Sequence, residues 1–248
     1  MHAAEVNDVA RSSQRSREVC LVSFVVPAWN EESLLGATLM AIREAAGQLP
    51  ERFEIVVASD GSTDRTEEIA EQLADRTVRV EHRQIAATRN AGARAARGDL
   101  LVFVDADTTV HRELIGAAVQ AVRQGAVGGG CTARFDGPTP LWGRLAPVLA
   151  NAYVRLFRVA YGCFLFCTRE AFEAVGGFDT SLYVTEEITM SRALRRQGRF
   201  VVLPQKVVTS GRKVRVLSLS HVLRLAFSAV VHGFRTRKGK ELWYEGRS

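Results

Sequence analysis

Residues 100–107 read LLVFVDAD, and this stretch decides the fold that the sequence predicts. Five apolar residues without polar alternation are typical of a strand that is buried on both faces. The DAD that follows marks the end of that strand. Two earlier stretches have the same design, since residues 21–26 precede PAWNEE and residues 53–58 precede SDGSTD.

Helical patterns separate these predicted strands. Apolar residues recur at helical spacing near residues 34–42, 69–73 and 85–96, and a short strand is predicted at 78–80. Strands that alternate with helices indicate βαβ units and a mostly parallel sheet, so the predicted fold class is α/β. The carboxyl ends of parallel strands meet at one edge, where ligands bind. The three polar clusters are therefore predicted to share that edge.

The pattern changes after a predicted helix at 113–123. Residues 127–135 predict a strand whose Gly128–Gly130 run indicates a close backbone approach. The remaining predictions are a helix and three strands, which lie at residues 185–196, 161–167, 200–203 and 207–209.

Composition is that of an ordinary globular protein, with 47% hydrophobic and 24% charged residues in 248. Disordered and disulfide-scaffold proteins are excluded on this ground. The net charge of +6 is uneven, because the last 43 residues hold ten Lys and Arg against two Glu. Such a basic end favours an anionic partner, which is a diphosphate, a membrane surface or a nucleic acid; a solvated basic face is the alternative.

Three segments are predicted along the chain. Residues 1–18 are polar, lack the apolar core of a signal peptide and predict a flexible tail. Residues 19–213 form one α/β domain, and residues 214–248 add an amphipathic helix and a basic tail. No apolar run is long enough to predict a membrane-spanning helix, so the expected location is the cytoplasm, with the C-terminal helix as a peripheral contact at the inner membrane face.

The Asp105-x-Asp107 pattern concentrates two carboxylates directly after a buried strand. Like charges repel there unless a cation lies between or beside them. Hard oxygen ligands suit Mg²⁺ or Mn²⁺, which bind one or two carboxylates together with substrate phosphates. The pattern therefore predicts a metal that bridges the protein to a diphosphate. A simple turn is the structural alternative.

The ordered motifs resemble the family 2 glycosyltransferases, which have a GT-A fold. The resemblance rests on LVSFVVPAWNEE at 21–32, IVVASDGSTDRT at 55–66 and ATRNAGARAARGDLLVFVDADT at 87–108, and it continues into an acceptor-side segment at 176–199. It implies a single GT-A-type domain and an inverting transfer from a nucleotide-diphosphate sugar, with a UDP-sugar as the expected donor. The Gln-x-x-Arg-Trp motif of the processive synthases is missing, which favours transfer of one sugar.

The resemblance also implies the site residues. Trp29 would stack on the base, Asp60 would accept a hydrogen bond from its ring N–H, and Asp107 would bind the metal. The remaining nucleotide-sugar-binding roles fall on Pro27, Glu31, Arg89 and Asp105, the last of which would contact the ribose or the metal.

The acceptor-side acids are Glu186 and Glu187. The family pattern here is Glu-Asp, whose second carboxylate is the general base, and this implies that role for Glu187. The replacement of Asp by Glu leaves the choice between the two glutamates open. A pair of acids that favours a helix N-terminus is the structural alternative.

Two features extend this interpretation. Arg212 and Lys213, in the run TSGRK at 209–213, are predicted to clamp the donor diphosphate, with a solvated basic loop as the alternative. The acceptor is predicted to be a sugar, a small molecule or a lipid-linked hydroxyl, with an anionic membrane surface as a further partner and no nucleic acid. A sugar nucleotidyltransferase and a non-catalytic nucleotide-sugar-binding protein are the alternative functions.

Overall fold

The computed structural model describes residues 18–137 and 141–212. The predictions for the N-terminal tail to residue 17, for Lys213 and for residues 214–248 lie outside these ranges. The described elements are, in chain order, β1 (Leu21–Ala28), α1 (Leu35–Gly47), β2 (Arg52–Asp60), α2 (Thr66–Leu73), β3 (Arg76–Val80), α3 (Ile85–Ala95), β4 (Leu100–Val104), β5 (Thr108–Thr109), α4 (Arg112–Arg123), β6 (Ala126–Phe135), α5 (Leu141–Phe157), β7 (Phe164–Thr168), α6 (Arg169–Ala174), α7 (Glu186–Gln197) and β8 (Arg199–Thr209).

The strands form one sheet with the order β3-β2-β1-β4-β7-β6-β8-β5. The first four strands in that order are parallel, as the βαβ pattern predicts. Strand β7 is antiparallel to both of its neighbours, β4 and β6, while β8 runs parallel to β6. The α/β fold class is confirmed, and the antiparallel β7 joins its two parallel parts.

Strand β4 is apolar throughout because it supplies two cores. In β4, Leu100, Val102 and Val104 pack with α1 and α4 on one face of the sheet. Leu101 and Phe103 pack with α3, α6 and α7 on the other face. Within the described ranges, no helix is long and apolar enough to cross a membrane.

Several predicted boundaries are wrong for local reasons. β1 continues past the predicted end at residue 26 to Ala28. Its pairing with β4 ends at Val25, so the missing N–H of Pro27 removes no hydrogen bond on the side that faces β4. The two predicted strands at 200–203 and 207–209 are one strand, β8. Its register against β6 skips two residues between Leu203 and Lys206, which forms a bulge. The short elements β5 and α6 were not predicted.

The Gly128–Gly130 run has the predicted close approach. A Cβ at Gly130 would overlap the side chain of Ala160, and one at Gly129 would overlap the Phe166 ring and the Val201 carbonyl oxygen. The glycines therefore let β6 lie against β7 and against the chain that leads from α5 toward β7.

Replacement of Gly130 by Ala should lower the free energy of unfolding by about 1–3 kcal/mol, because this well-packed region has no space for a methyl group. Urea denaturation measures the change. The matched control is Gly47→Ala, at the end of α1, where nothing lies within 4 Å of the added Cβ. That variant should be at least as stable as the wild type, and equal stabilities of the two variants would contradict the packing argument.

Candidate active site

The loops that follow β1 and β2 are joined to each other by hydrogen bonds. The Asn30 backbone N–H donates to Ser62 Oγ at 3.2 Å, and the Thr63 N–H donates to Asn30 Oδ1 at 2.9 Å. The Glu31 N–H donates to Thr66 Oγ1 at 2.8 Å. Polar residues at the ends of two parallel strands thus form one connected edge, as the sequence predicts.

Asp60, at the end of β2, organises the loop between β3 and α3. Its Oδ1 accepts the backbone N–H groups of His82 at 2.6 Å and Arg83 at 2.8 Å. Its Oδ2 accepts the Gln84 N–H at 3.0 Å and the Thr88 hydroxyl at 2.7 Å. These four bonds use the usual acceptor capacity of a carboxylate. The predicted contact with a base N–H stays a prediction, and it would replace one of these bonds.

Arg83 is a candidate site residue that the sequence interpretation missed. Its guanidinium lies 5.1 Å from the ring centroid of Trp29, a cation–π arrangement. The same guanidinium approaches Gly61, where an added Cβ would lie 3.2 Å from Arg83 Nε. Arg83 therefore covers a ring face of Trp29, the side chain that is predicted to stack on a base. In the sequence, Arg83 is marked by its position just before α3. Its hydrogen bond to Asp60 is seen in the structure.

Arg89 is the centre of the site. Its Nη2 donates to Asp105 Oδ1 and its Nη1 donates to Glu186 Oε1, both at 2.8 Å. The side chain of Arg89 is 3% exposed and that of Glu186 is 7% exposed, whereas that of Asp105 is 33% exposed. One buried guanidinium thus joins the predicted donor-side motif to the predicted acceptor-side motif.

The surroundings of Arg89 hold it in place. Its guanidinium carbon lies 5.4 Å from the centroid of the Phe178 ring, and a Cβ at Gly162 would lie 2.5 Å from Nη2. Burial alone would lower the pKa of Arg89, but the charges of Asp105, Glu186 and Glu187 raise it above its ordinary value. Arg89 is therefore a permanent buried cation.

The acceptor-side segment is attached to α3 at two further places. Asn90 Nδ2 donates to the Phe178 carbonyl oxygen at 2.8 Å, and the Phe178 N–H donates back to Asn90 Oδ1 at 2.9 Å. Gln84 Nε2 donates to the carbonyl oxygens of Thr180 at 2.9 Å and Leu182 at 2.7 Å. The Arg-Asn pair in α3 therefore serves both sides of the site, rather than the nucleotide side alone.

Glu187 differs from its neighbour Glu186 in its surroundings, because Glu186 is the one that binds Arg89. Burial, followed by the negative charge of Glu186, raises the pKa of Glu187 to about 8, and the opposing charge of Arg89 limits the rise. Both glutamates lie in the first turn of α7, which begins after Thr185 in the left-handed conformation with φ of 65°. A β-branched residue rarely adopts that conformation, so the start of α7 is a strained position next to the site.

Asp107 lies where β5 meets β8. Its Oδ1 accepts the Thr209 hydroxyl at 3.3 Å, and its carbonyl oxygen accepts the Ser210 N–H at 3.0 Å. The run that contains the predicted diphosphate clamp is thereby placed beside the Asp-x-Asp motif.

The carboxylates of Asp105 and Asp107 fit a hard divalent cation that completes its coordination with substrate oxygens. Within residues 18–137 and 141–212, no group of three or more His, Cys, Asp or Glu side chains is arranged to hold a metal by itself. A site of two carboxylates suits an ion that arrives with a diphosphate. Arg89 binds Asp105 Oδ1 and the Thr209 hydroxyl donates to Asp107 Oδ1, so each carboxylate already has a protein partner.

Arg212 contacts a residue of the first strand end. Its Nη2 lies 2.8 Å from Glu31 Oε2, and Glu31 is buried. The structure thus brings together two residues that were both predicted to serve the nucleotide sugar. Pro27 was also predicted to serve the nucleotide sugar. It is part of β1 and pairs with Ala58 of β2.

Replacement of Arg89 by Ala should destabilise the fold by about 3–5 kcal/mol, because it leaves the buried Glu186 without its cation and brings unbalanced negative charges together. Urea unfolding at neutral pH measures the loss. Arg94→Ala, an exposed position on the same helix, is the control and should stay within about 0.5 kcal/mol of the wild type. If both variants lower the free energy of unfolding by a similarly small amount, the ion pairs of Arg89 with Asp105 and Glu186 have no structural role.

Known proteins resemble this chain in sequence and in fold. Validoxylamine A glucosyltransferase from Streptomyces hygroscopicus subsp. limoneus is 36% identical over 104 residues, which are 39% of this chain and 22% of the relative. Undecaprenyl-phosphate 4-deoxy-4-formamido-L-arabinose transferase from Pseudomonas aeruginosa is 34% identical over 156 residues, which are 58% of this chain and 46% of the relative. The chain thus spans less than half of the length of these two relatives.

Solved structures agree with the predicted fold. The mannosyltransferase PcManGT from Pyrobaculum calidifontis, in complex with GDP-Man and Mn²⁺, has a TM-score of 0.67 at 20% identity over 94% of this chain and 70% of its own. TarS 1-349 from S. aureus, in complex with UDP-GlcNAc, has a TM-score of 0.63 at 15% identity over 90% of this chain and 70% of its own. At these identities the likeness shows the fold alone, and it confirms the expected GT-A architecture.

The family model described as "Glycosyl transferase family 2" matches residues 23–176, more than half of the chain. The matched range contains all three strand ends that form the site, with Asp60, Arg89, Asp105 and Asp107. This chain therefore belongs to glycosyl transferase family 2.

Proposed function

We propose that the protein is a metal-dependent inverting glycosyltransferase that moves one sugar from a nucleotide-diphosphate sugar, with UDP-sugar as the preferred donor class, to an acceptor hydroxyl. The Arg89 bridge is the observation that carries this proposal. It places an acid of the donor-side motif and an acid of the acceptor-side motif on one guanidinium, with 2.8 Å between the charged atoms on each side. The fold neighbours that bind GDP-Man or UDP-GlcNAc support the donor class.

The donor side is assigned to the edge formed by β1, β2 and β4. Trp29 and Arg83 would contact the base, Asp105 and Asp107 would hold Mn²⁺ or Mg²⁺, and Arg212 would contact the diphosphate. When bound, the ion supplies stabilisation of the negative charge that develops on the departing diphosphate. Arg212 lies in an ion pair with Glu31, so a diphosphate that binds Arg212 competes with that carboxylate.

Glu187 is assigned as the general base. Glu186 is committed to Arg89, whereas Glu187 lies beside it with a raised pKa and is therefore a stronger base than an ordinary glutamate. The acceptor hydroxyl gives its proton to Glu187 as its oxygen attacks the anomeric carbon. The bond between that carbon and the diphosphate oxygen breaks in the same step, and the configuration inverts.

The acceptor is proposed to be lipid-linked, at the inner face of the membrane. The similarity to a transferase named for undecaprenyl phosphate supports the lipid part of this acceptor, whose attacking group is proposed to be a hydroxyl rather than the phosphate. A small-molecule acceptor is the second candidate, supported by the similarity to a glucosyltransferase named for validoxylamine A. A nucleic acid has no part in this assignment.

The variant Glu187→Gln should lose at least about a hundredfold in transfer rate while it binds the donor as tightly as the wild type, because the amide keeps the shape but accepts no proton. Nucleotide release in the presence of Mn²⁺ measures the transfer rate. Calorimetric titration with UDP-glucose, UDP-GlcNAc and GDP-mannose measures donor binding. Glu173→Gln, at an exposed position of α6, is the matched control. If Glu187→Gln turns over at the wild-type rate, Glu187 is not the base. If the wild type itself shows no turnover with any donor and acceptor, the result favours a non-catalytic binding protein.

The transfer should also depend on pH through Glu187. A carboxyl group whose pKa is raised to about 8 is mostly protonated at pH 7 and accepts a proton only after it has lost its own. The value of kcat/KM should therefore rise about tenfold per pH unit below 8 and level off above it. A profile that stays flat between about pH 6 and 9 would contradict this assignment.

A further inference from the structure

Helix α5 presents an apolar stripe to solvent. Its exposed members are Val148, Leu149, Tyr153, Leu156 and Phe157, with exposed fractions between 38% and 77%. This spacing places them along one side of a helix, while Val154 and Asn151 hold the other side against the protein. Among the described residues, the other exposed large hydrophobic side chain is Met40, far away in sequence on α1. A contiguous exposed apolar face of this kind marks an interaction site.

The charges around the α5 stripe are positive. From residue 141 to residue 161 the sequence contains three Arg and no Asp or Glu. Two of these, Arg155 and Arg158, are exposed beside the stripe. Arg195, an exposed residue of α7, donates to the Phe157 carbonyl oxygen at 2.6 Å, and Arg196 follows it. The stripe therefore has a cationic rim.

Charge separates the possible occupants of this surface. A second copy that used the same face would bring two cationic rims close together, because an isologous contact joins the same patch of both subunits. Residues 213–248 carry eight Lys and Arg against two Glu, so their net charge has the same sign as the rim. An anionic lipid surface complements both the α5 stripe and its cationic rim. The acyl chains would surround the apolar side chains, and the lipid phosphates would pair with the arginines.

We propose that the α5 stripe and its arginine rim form a docking surface for an anionic lipid bilayer. The surface is continuous with the acceptor side of the site. Beyond α5, the Ala160 N–H donates to Ser191 Oγ of α7 at 2.9 Å, and Gly162 contacts Arg89. Docking on α5 thus places the bilayer beside the segment that carries Glu186 and Glu187. The delivery of a lipid-linked acceptor rests on the proposed function, whereas the vesicle binding does not.

A label at one position tests the surface in the full chain. Cys20 is the exposed cysteine, and Cys131, Cys163 and Cys167 are buried, so a Cys20→Ser background accepts one new thiol. An environment-sensitive dye on Leu149→Cys should shift to the blue and gain several-fold in intensity with vesicles of phosphatidylcholine and about one third phosphatidylglycerol. The same dye on Met40→Cys should show no change. An unchanged spectrum at position 149 would overturn the proposal.

Vesicle co-sedimentation tests the energetic contribution of the surface. The double variant Leu149→Ser/Leu156→Ser should bind about tenfold or more weakly, because two leucines no longer enter the bilayer. Arg155→Glu/Arg158→Glu should lose binding to the anionic vesicles, and Arg94→Glu, the matched control on α3, should not. Wild-type binding by the double serine variant would assign membrane contact to another part of the chain and overturn the proposal.

The rival occupants give distinct results. If the wild type is a dimer in sedimentation equilibrium without lipid, and the double serine variant is a monomer, the stripe is a self-interface and the proposal fails. A dye at position 149 that is already blue-shifted without vesicles would show that the chain covers its own stripe, which also overturns it. Donor hydrolysis with Mn²⁺ is measured separately, so its absence would defeat the proposed function and leave the vesicle results intact.

Discussion

The geometry of the site depends on one buried guanidinium. Removal of a charge from water costs several kcal/mol unless partners neutralise it, so Arg89 needs carboxylates at both of its ends. Asp105 comes from the end of β4 and Glu186 from the start of α7, which are 81 residues apart in the chain. The ion pairs therefore fix the separation between the two halves of the site. Asn90 and Gln84, from the same helical region as Arg89, hold the connecting segment in that position.

Arg89 also distinguishes the two carboxylates within each acidic pair. In both Asp105-x-Asp107 and Glu186-Glu187, the first carboxylate binds Arg89, and the second is the one to which the proposed chemistry is assigned. Two adjacent acids with different surroundings acquire different proton affinities, and this is the usual way in which one of them becomes a base. The proposed choice of Glu187 over Glu186, which the sequence leaves open, therefore rests on the partner of Glu186 rather than on side-chain length.

The sequence predicts the sheet edge well because strand burial and polar strand ends are local signals. The runs before Asp60 and Asp105 have the apolar pattern that parallel pairing requires, and the structure joins them at one edge. The partner of each charged side chain is not a local signal, since it depends on which distant segments pack together. Arg89 was assigned to the nucleotide for this reason, although the structure connects it to both motifs. The contact of Arg83 with Trp29 was missed because it depends on the turn that Asp60 holds.

The same bridge links the fold to the protonation of the base. Burial and the charge of Glu186 favour the neutral form of Glu187, and Arg89 opposes both. If Arg89 were absent, the pKa of Glu187 would rise further, because burial and the charge of Glu186 would act without an opposing cation. Arg89 thus limits the rise in the pKa of Glu187, the proposed base, while it fixes the position of α7. The stability of the segment around α7 and the pKa of the proposed base therefore depend on the same ion pairs, and a change in one of them alters the other.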